Sequence, residues 1–527
     1  MEKGICDVTS KEPQGKPEVL LLQPLSIYFE PILSQKFNLL KPWESPLPLN
    51  VFLSNHAQFV QAIIASGPNC LPIENSLLIL LPNLGIITAM TVGVDHIDLE
   101  ACREKGVAVT NAGSTYSPDA ADFAVGLLVD VLRQVSMGDR FVRKGLWPVD
   151  GDGLLGSQRK STESHPQEHK AKKNPFQSFP RSEAFLNADT HPSPNQNPMA
   201  TTTTNTPKIE QKPKVLVLQH INASFEGVLS PHFDLVKAEE SSLPLPAFLS
   251  THCQHIKALI TFAPIVTVDS SLLDQLPSLG LVACTSVGFN HVDVDACRKR
   301  GVAVTNAGEM FTPDVADYAV GLLVDVLRRV VMADQYVRNG SWMLKGDYPL
   351  GSKVSGKRVG IVGLGSIGSH VAKRLTAFGC PISYFSRAPK PNYPSYTYFP
   401  NVLDLARESD VLILSCALTD ETRNIINRDV MIALGKDGVI INVGRGALID
   451  EPELVRCLKE GVIGGAGLDV FVNEPEVPEE LTHMENVVLS DHRAVTTPES
   501  FKNVLELAIA NLDAFFSGKP LLSPVSC

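Results

Sequence analysis

"VGIVGLGSIG", residues 359–368, joins an apolar run to a helix-like segment that ends near Gly379. Gly363, Gly365 and Gly368 match the GxGxxG pattern, in which the first glycine permits a tight turn, the second lets the backbone approach a pyrophosphate and the third lets the helix pack on the strand. Placed between a strand and a helix, the pattern predicts a dinucleotide site whose phosphates meet the amides at the start of the helix. A plain glycine-rich turn is the alternative. The residues assigned to the cofactor in this loop are Gly363, Leu364, Gly365, Ser366, Ile367 and Gly368.

Short apolar runs alternate with helix-like segments from residue 354 onward, which is typical of an α/β fold with a doubly wound parallel sheet of the Rossmann type. The predicted strands are "KRVGIVG", "PISYFS", "DVLILSC", "GVIINVG", "GGAGLDVF" and "NVVLS".

The end of the second predicted strand bears on the choice of nicotinamide cofactor. NAD enzymes usually have Asp or Glu there to bind the ribose 2′-hydroxyl. This chain has Ser386 and Arg387 in "YFSRAPK". A guanidinium at that place can pair with a 2′-phosphate, so the sequence favours NADP(H), with NAD(H) still possible. A solvated surface arginine is the alternative.

Three polar residues follow successive predicted strands: Arg445 in "NVGRGALID", Glu474 in "LDVFVNEP" and His492 in "NVVLSDHRAV". The carboxyl ends of parallel strands meet at one edge of a sheet, so we expect these side chains to converge. Hydride transfer to a carbonyl leaves an alkoxide, which His492 can protonate while Arg445 polarises the carbonyl and binds a neighbouring carboxylate. Glu474 on the other imidazole nitrogen would select the tautomer and raise the pKa of the histidine. Taken singly, the three residues also fit a surface ion pair, a helix-start acid and a loop histidine.

A long repeat precedes this segment. "GVAVTNAG" occurs at 106–113 and at 301–308, and the offset of the two copies is 287 − 92 = 195. Between Val92–Val135 and Val287–Val330, 30 of 44 positions are identical. The similarity ends near Ser157, and the next stretch is rich in Pro, Ser, Thr, Asn and Lys, which predicts disorder. A tandem gene pair read in one frame explains this layout, and a bifunctional chain is the alternative.

The bulk composition limits the classes of partner. Lys and Arg number 46 against 57 Asp and Glu, a net charge of −11, which gives no positive field for nucleic acid or anionic lipid. The ten cysteines include no CxxC pair and no signal peptide is recognisable, so we expect reduced thiols, a cytoplasmic location and no metal site. The apolar run from Ser76, "SLLILLPNLGIITAMTVGV", is interrupted by Pro82 and is interpreted as a short helix and a core strand rather than a membrane span.

Residues 213–527 resemble the D-isomer-specific 2-hydroxyacid dehydrogenases, above all their plant glyoxylate/hydroxypyruvate and hydroxyphenylpyruvate reductases. The resemblance is carried by the glycine loop and by "VGRG", "DVFVNEP" and the histidine motif. It implies that Arg445 binds substrate, that Glu474 supports the acid/base His492, and that Val287 and Gly288 of "SVGFNHVD" offer amides to the substrate carboxylate. It also implies a homodimer. Further residues expected on the cofactor side are Cys416, Val443 and Asp469.

The resemblance implies a flavodoxin-like substrate domain assembled from both ends of the unit. Thr497 is a plausible N-cap and Pro498 a first-turn residue for the closing helix. Phe501, Val504, Leu505, Ala508, Ile509, Leu512 and Phe516 form one apolar face on that helix, which we expect to pack against residues 214–314. The predicted domains are a truncated duplicate (1–157), a linker (158–212), the substrate domain (213–314 and 496–527) and a Rossmann domain (315–495).

One residue departs from the family pattern, in which proline usually precedes the histidine. This chain has Asp491 there and Arg493 after the histidine. Loss of proline removes a constraint on φ, so we expect a looser turn, and a carboxylate beside the imidazole would raise its pKa further.

The sequence therefore predicts an NADPH-dependent reductase of small 2-oxo acids such as hydroxypyruvate and glyoxylate, with hydroxyphenylpyruvate as the competing substrate. A nucleotide-sensing binding protein of the same fold is the alternative from another class. The first copy keeps the carboxylate turn as Val92 and Gly93 but has no glycine loop and no counterpart of the three catalytic candidates. It is interpreted as an inactive fragment, or alternatively as a regulatory partner of the full unit.

Overall fold

The computed structural model describes residues 16–25, 29–65, 71–150, 212–221, 223–262 and 266–525. The chain divides into two units, Met1–Val125 and Gly126–Cys527. The first boundary therefore differs from the predicted one at residue 157. Residues 126–150 belong with the second unit because Val135, Val142 and Trp147 are buried in its cores. The predicted linker, up to residue 211, lies outside the described residues.

The first unit contains a parallel five-stranded sheet with the order β2-β1-β3-β4-β5. Its strands are β1 (Glu18–Leu21), β2 (Asn38–Leu40), β3 (Val60–Ala65), β4 (Ile86–Ala89) and β5 (Ala108–Thr110). Its helices are α1 (Glu30–Ser34), α2 (Leu49–His56), α3 (Asn75–Leu80), α4 (Leu99–Glu104) and α5 (Ser117–Arg133), the last of which ends in the second unit. The run from Ser76 forms α3 and β4, as predicted.

The second unit opens with α6 (Val135–Arg143) and α7 (Trp147–Asp150) and then builds a second parallel five-stranded sheet in the order β7-β6-β8-β9-β10. This 2-1-3-4-5 order is the flavodoxin-like one, and the first unit has it too. The strands are β6 (Lys214–Val217), β7 (Asp234–Lys237), β8 (Ala258–Thr261), β9 (Leu281–Cys284) and β10 (Ala303–Thr305). The helices are α8 (Ala223–Leu229), α9 (Leu245–His252), α10 (Ser270–Asp274) and α11 (Val294–Lys299).

A seven-stranded parallel sheet follows in the order β13-β12-β11-β14-β15-β16-β17, which extends the Rossmann order 3-2-1-4-5-6 by one strand. Its strands are β11 (Val359–Val362), β12 (Ile382–Phe385), β13 (Thr397–Phe399), β14 (Val411–Leu414), β15 (Val439–Asn442), β16 (Gly465–Leu468) and β17 (Val487–Leu489). Its helices are α12 (Thr312–Arg328), α13 (Val330–Arg338), α14 (Ser341–Lys345), α15 (Ser366–Ala377), α16 (Val402–Arg407), α17 (Arg428–Leu434), α18 (Glu451–Lys459) and α19 (Glu479–Thr482). All six predicted strands are present.

The central strands are apolar at nearly every position because helices cover both faces of the sheet. Every residue of β11, β14, β15 and β16 is buried. Continuous apolar runs of this kind are typical of parallel strands with no solvent-facing side. This burial places the carboxyl ends of the strands, with the loops that follow them, along one rigid edge.

The closing helix α20 (Pro498–Phe516) returns the chain to the substrate domain, as predicted. Leu505, Ala508, Ile509 and Leu512 are buried in one core with strand residues of β6, β8 and β9. Thr497 is the N-cap: its side chain accepts from the Ser500 amide at 3.0 Å, and Ser500 completes a capping box. No helix among the described residues is long and apolar enough to cross a membrane.

Replacing Thr497 by Ala removes the cap and the hydrogen bond that the Thr497 hydroxyl donates to Asp314 at 2.8 Å. We expect the free energy of unfolding to fall by about 1–2 kcal/mol, measured by urea denaturation. Thr497→Ser keeps the capping oxygen and is the matched control. Equal losses in both variants would show that the cap does not stabilise α20.

Candidate active site

The turn between β11 and α15 brings backbone segments into contact that a side chain would separate. Gly363 has φ of +101°, and a Cβ there would lie 2.7 Å from Cys416 Cα. A Cβ on Gly368 would overlap the carbonyl oxygen of Gly363. By contrast, no atom lies within 4 Å of a Cβ built on Gly365. Gly363 and Gly368 thus permit the close packing of the turn, whereas Gly365 borders open space.

The amino-terminal end of α15 has the properties of a phosphate site. Its N-cap is Gly365, so no side chain caps the helix, which is 12 residues long. Unpaired amides and the positive end of such a helix attract phosphate oxygens. The Leu364 side chain is buried and Ile367 packs against the core, so these residues present only their backbone. The Ser366 hydroxyl donates to Glu309 Oε1 at 2.6 Å. The residues present therefore fit a dinucleotide.

The other residues assigned to the cofactor lie along the same edge of the sheet. Arg387 is exposed directly after β12, and the Ser386 hydroxyl donates to the Ala388 carbonyl at 2.6 Å. Cys416 follows β14, and burial raises the pKa of its thiol to about 11. Val443 is buried directly after β15. Their contacts with a cofactor stay predictions.

His492 and Glu474 form a hydrogen-bonded pair, with His492 Nδ1 2.7 Å from Glu474 Oε2. The other carboxylate oxygen, Glu474 Oε1, accepts from the Phe471 amide at 2.9 Å. The carboxylate is thus held from two sides, and it selects the tautomer in which Nδ1 carries a proton and Nε2 is directed away from Glu474. The His492 side chain is 31% exposed, so part of the ring is accessible.

The charges around this pair shift both pKa values toward the ionised forms. Burial alone would lower the pKa of His492, but the hydrogen bond and charge of Glu474, with Asp469, outweigh burial and raise it above 6.5. Burial would raise the pKa of Glu474, yet His492, the Phe471 amide and Arg445 lower it below its ordinary value. The imidazole is therefore a better proton carrier near neutral pH than an isolated histidine.

The Arg445 guanidinium lies against the predicted carboxylate turn, in the space that a side chain at position 288 would occupy. A Cβ on Gly288 would overlap the Arg445 guanidinium. Arg445 follows β15 in a turn held by Asn442, whose amide nitrogen donates to the Arg445 carbonyl at 3.0 Å. Burial lowers the pKa of Arg445, while Glu474 and Asp469 oppose that shift. The structure therefore brings Arg445, Glu474 and His492 into one charged cluster beside Gly288.

The turn itself is oriented by side chains on either side of it. Asn306 Nδ2 donates to the Val287 carbonyl at 2.8 Å, and the Ser286 hydroxyl donates to the Gly288 carbonyl at 2.7 Å. The first copy keeps the same pattern, with Asn111 bound to the Val92 carbonyl and Thr91 to the Gly93 carbonyl. The first copy has no counterpart of Arg445, so it retains the turn without the cationic partner.

A buried network that sequence reasoning missed holds the loop that carries His492. Asp469, assigned to the cofactor from sequence, is buried at the end of β16. Its Oδ1 accepts from the Ser490 hydroxyl at 2.6 Å and the Arg493 amide at 2.9 Å, and its Oδ2 accepts from the Ala494 amide at 3.2 Å. Ser490 Oγ in turn lies 2.7 Å from the Tyr318 hydroxyl. Asp469 therefore supports the histidine loop, and its assignment to the cofactor side stays a prediction.

The expectation of a loose turn around Asp491 is wrong. His492 has φ of +55°, a left-handed conformation that costs a non-glycine residue about 1–2 kcal/mol, so its surroundings must impose it. The His492 amide donates to the Asp469 carbonyl at 2.9 Å, and the bonds to the Asp469 side chain replace the constraint that proline would supply. Asp491 is buried and forms a two-point ion pair with Arg493. It is therefore not the carboxylate that raises the pKa of His492.

Comparison with known proteins agrees with this arrangement. The family model for the NAD binding domain of D-isomer specific 2-hydroxyacid dehydrogenases matches residues 320–494, and the model for their catalytic domain matches residues 19–232. A relative far above 30% identity is covered over nearly its whole length. The chain belongs to the D-isomer specific 2-hydroxyacid dehydrogenase family, and it is an NAD(P)-dependent oxidoreductase.

Individual relatives of known activity are similar to this chain over most of their length. A glyoxylate/hydroxypyruvate reductase of Arabidopsis thaliana is 56% identical over 317 residues, which are 60% of this chain and 98% of that protein. A hydroxyphenylpyruvate reductase of Plectranthus scutellarioides is 53% identical over 278 residues, 53% of this chain and 88% of that protein. An NADPH-dependent glyoxylate/hydroxypyruvate reductase of Sinorhizobium meliloti, solved with NADP and malonate, has a TM-score of 0.56 and 38% identity and covers 60% of this chain and 97% of that one.

The glycine loop provides a test of nucleotide binding that is separate from folding. Gly365→Ala adds a methyl group to open space at an extended backbone position, so we expect unchanged thermal stability without nucleotide. The methyl group stands where the pyrophosphate must approach, so NADPH should bind about tenfold more weakly or worse by calorimetry. Gly368→Ala is the contrasting variant, because its Cβ meets Gly363 and should destabilise the apo-protein. Unchanged NADPH affinity in Gly365→Ala would remove the loop from the cofactor site.

Proposed function

We propose that this protein reduces small 2-oxo acids, with hydroxypyruvate and glyoxylate as the first candidates, to 2-hydroxy acids with NADPH. The observation that supports the proposal most is the Glu474–His492 pair beside Arg445 and Gly288. It combines a proton donor, a cation and a backbone turn for a carboxylate in one place. The relatives named for this activity add a second, independent line of support.

Each residue of the cluster has a distinct task in the reaction. Reduced nicotinamide, when bound, supplies the hydride. Arg445 binds the 2-oxo acid through its fork of N–H donors and stabilises the negative charge that develops on the carbonyl oxygen. The Val287–Gly288 turn orients the substrate carboxylate. Protonated His492 gives its Nε2 proton to that oxygen, and Glu474 stabilises the imidazolium before the transfer and holds the ring in place afterwards.

The preference for NADPH rests on Arg387. It is exposed at the end of β12, where an NAD enzyme would carry the acid that binds the ribose 2′-hydroxyl. A guanidinium there attracts the charged 2′-phosphate of NADPH much more strongly than the neutral 2′-hydroxyl of NADH. The Sinorhizobium meliloti reductase, described as NADPH-dependent, has the same fold.

Hydroxyphenylpyruvate is the second candidate substrate, because the Plectranthus scutellarioides relative named for it is almost as similar as the Arabidopsis one. The charged cluster recognises the 2-oxo acid end that all three substrates share. The remainder of the substrate decides between them, so only a direct comparison of rates can separate the candidates. A cytoplasmic location stays a prediction, as does the homodimer that the resemblance implies; the packing of residues 126–150 within the second unit favours a single chain per particle over that homodimer.

Replacing Arg445 by Ala should lower kcat/KM for hydroxypyruvate, glyoxylate and hydroxyphenylpyruvate by at least about 100-fold. The variant loses both the group that binds the substrate and the charge that stabilises the developing alkoxide. NADPH affinity should remain close to that of the wild type. The measurement is NADPH absorbance across the three substrates, repeated with NADH. Arg456→Ala, which removes an exposed arginine of α18, is the matched control.

Two results of this panel would contradict the proposal. Tight NADPH binding without oxidation by any substrate would favour a nucleotide sensor. Equal kcat/KM with NADH and NADPH would remove the role given to Arg387.

The pH profile tests the Glu474–His492 pair. Reduction needs protonated His492, so kcat/KM should be constant at low pH and fall as pH rises through the raised pKa. Glu474→Gln removes the charge that raises this pKa while burial, which lowers it, remains, so the midpoint should move to lower pH. Oxidation of the 2-hydroxy acid needs neutral His492, so kcat/KM for that direction should rise as pH rises through the same pKa. Glu476→Gln, two residues away, is the control, and an unchanged midpoint in Glu474→Gln would contradict the assignment.

A further inference from the structure

Two segments that the repeat makes equivalent pack against each other in the second unit. We call residues 126–150 the first arm and residues 321–345 the second arm, which are related by the offset of 195. The first arm contains the end of α5 with α6 and α7, and the second contains the end of α12 with α13 and α14. Both arms belong to the unit Gly126–Cys527.

The apolar contacts between the arms are reciprocal. A Cβ built on Gly126 would overlap the Val324 side chain, and a Cβ built on Gly321 would overlap the Val129 side chain. Positions 126 and 321 are equivalent in the repeat, and so are 129 and 324. Each arm thus inserts its valine at the glycine of the other. This exchange of equivalent contacts is the property of an interface between two copies related by a two-fold axis.

The polar contacts obey the same rule. Arg140 donates to Asp334 Oδ2 at 2.5 Å, and Gln335, the equivalent of Arg140, lies 3.4 Å from Asp139 Oδ2, the equivalent of Asp334. Two independent kinds of contact therefore define one local two-fold relationship. Both partners of this pseudo-symmetric interface come from one chain.

Farther along the two arms, equivalent residues differ sharply in burial. Val142 is 3% exposed and its equivalent Val337 is 54% exposed, while Trp147 is 3% exposed and Trp342 is 58% exposed. The first arm packs on the Rossmann domain, where Trp147 contacts the Phe471 ring edge-on at 5.9 Å between centroids. The first copy ends before any Rossmann sheet, so the second arm has no equivalent surface to cover.

The first arm binds both ends of the segment that carries His492. The Asp139 carboxylate accepts from the Leu489 amide at 2.9 Å, and Arg133 donates to the Ala494 carbonyl at 2.8 Å. Arg143 donates to the Asp139 carboxylate at 2.7 Å and to the carbonyls of Thr482, Met484 and Val487. These bonds support the histidine loop from outside, as Asp469 does from inside.

The fit is better for the first arm than for a second arm from another chain. Gly138 lies against the Arg493 side chain, and a Cβ at position 138 would be 3.0 Å from Arg493 Nε. The equivalent position in the second arm is Ala333, whose Cβ would crowd that guanidinium. The first arm also belongs to the same chain, so its binding is intramolecular and needs no second molecule.

We propose that the first arm takes the place of a partner subunit: it occupies, within one chain, the face of the Rossmann domain that a second copy of this chain would otherwise cover. The N-terminal copy is then an internal partner that supports the histidine loop, and the full chain does not dimerise through this face. The assignment is independent of the substrate and of the cofactor preference.

A designed disulfide tests which chain supplies the arm. The Cβ of residue 321 would lie 3.6 Å from the Val129 Cβ, within the usual range for a disulfide. In the full chain, Val129→Cys/Gly321→Cys should lose two thiols on mild oxidation and stay at the mass of one chain, 57.1 kDa. Gly321→Cys/Val324→Cys, which would join two second arms, should give no linked dimer. A linked dimer from either pair, or no loss of thiols in the first pair, would overturn the proposal.

Matched substitutions test the arms without any cross-link. Trp147→Ala and Arg143→Ala should each lower the melting temperature of the full chain by about 5 °C or more and reduce kcat/KM. Their equivalents Trp342→Ala and Arg338→Ala should change both quantities little. Light scattering of the wild type should give one chain per particle. The reverse sensitivity, with a mass of two chains, would show that second arms of two molecules form the interface and would refute the proposal.

Discussion

The buried carboxylate of Asp469 is the group on which the catalytic arrangement depends. It lies directly after a fully buried strand, β16, and accepts hydrogen bonds from one side chain and two amides of the loop that follows the neighbouring strand, β17. Burial raises its pKa, and those donors together with the charge of His492 oppose the shift. Without this acceptor, the Ser490 hydroxyl and the amides of Arg493 and Ala494 would lose their partner, and the left-handed backbone of His492 would lose the support that this side chain gives it. The hydrogen bond between His492 and Glu474 therefore depends on Asp469, whose carboxylate is bonded to neither of the two side chains.

The two copies show how one sequence pattern adapts to two surroundings. Asp130 of the first copy accepts from both the amide and the hydroxyl of Ser136. For its equivalent Asp325, the residue at the place of that serine is Val331, which has no side-chain donor, and the Asp325 carboxylate is buried with no hydrogen-bond partner among the described residues. Burial, with the nearby charges of Asp130 and Asp139, raises the pKa of Asp325 well above its usual value. The duplicated chain has thus kept the backbone of both helices while changing which copy carries the polar contacts.

Sequence reasoning reaches far where periodicity and strand order decide the outcome. Six strands of the Rossmann sheet, the cap of α20 and the convergence of Arg445, Glu474 and His492 follow from local patterns and from the rule that parallel strands end at one edge. The strand β13 was missed because Thr397–Phe399 is short, partly exposed and surrounded by Pro, Asn and Tyr residues. The task of Asp469 was missed because its partners are mostly backbone amides that only the folded loop brings near. The contacts of the first arm join residues almost 200 positions apart or more, so no local pattern could indicate them.

The exposed indole of Trp342 and the buried one of Trp147 have a consequence for regulation. In a symmetric pair of enzymes each subunit has its own catalytic centre, and occupancy of one centre can alter the affinity of the other. A polypeptide that contributes its own companion has a single centre per particle, so homotropic cooperativity has no second site through which to act. Its saturation curve would be hyperbolic, because the rate would depend on the occupancy of one centre.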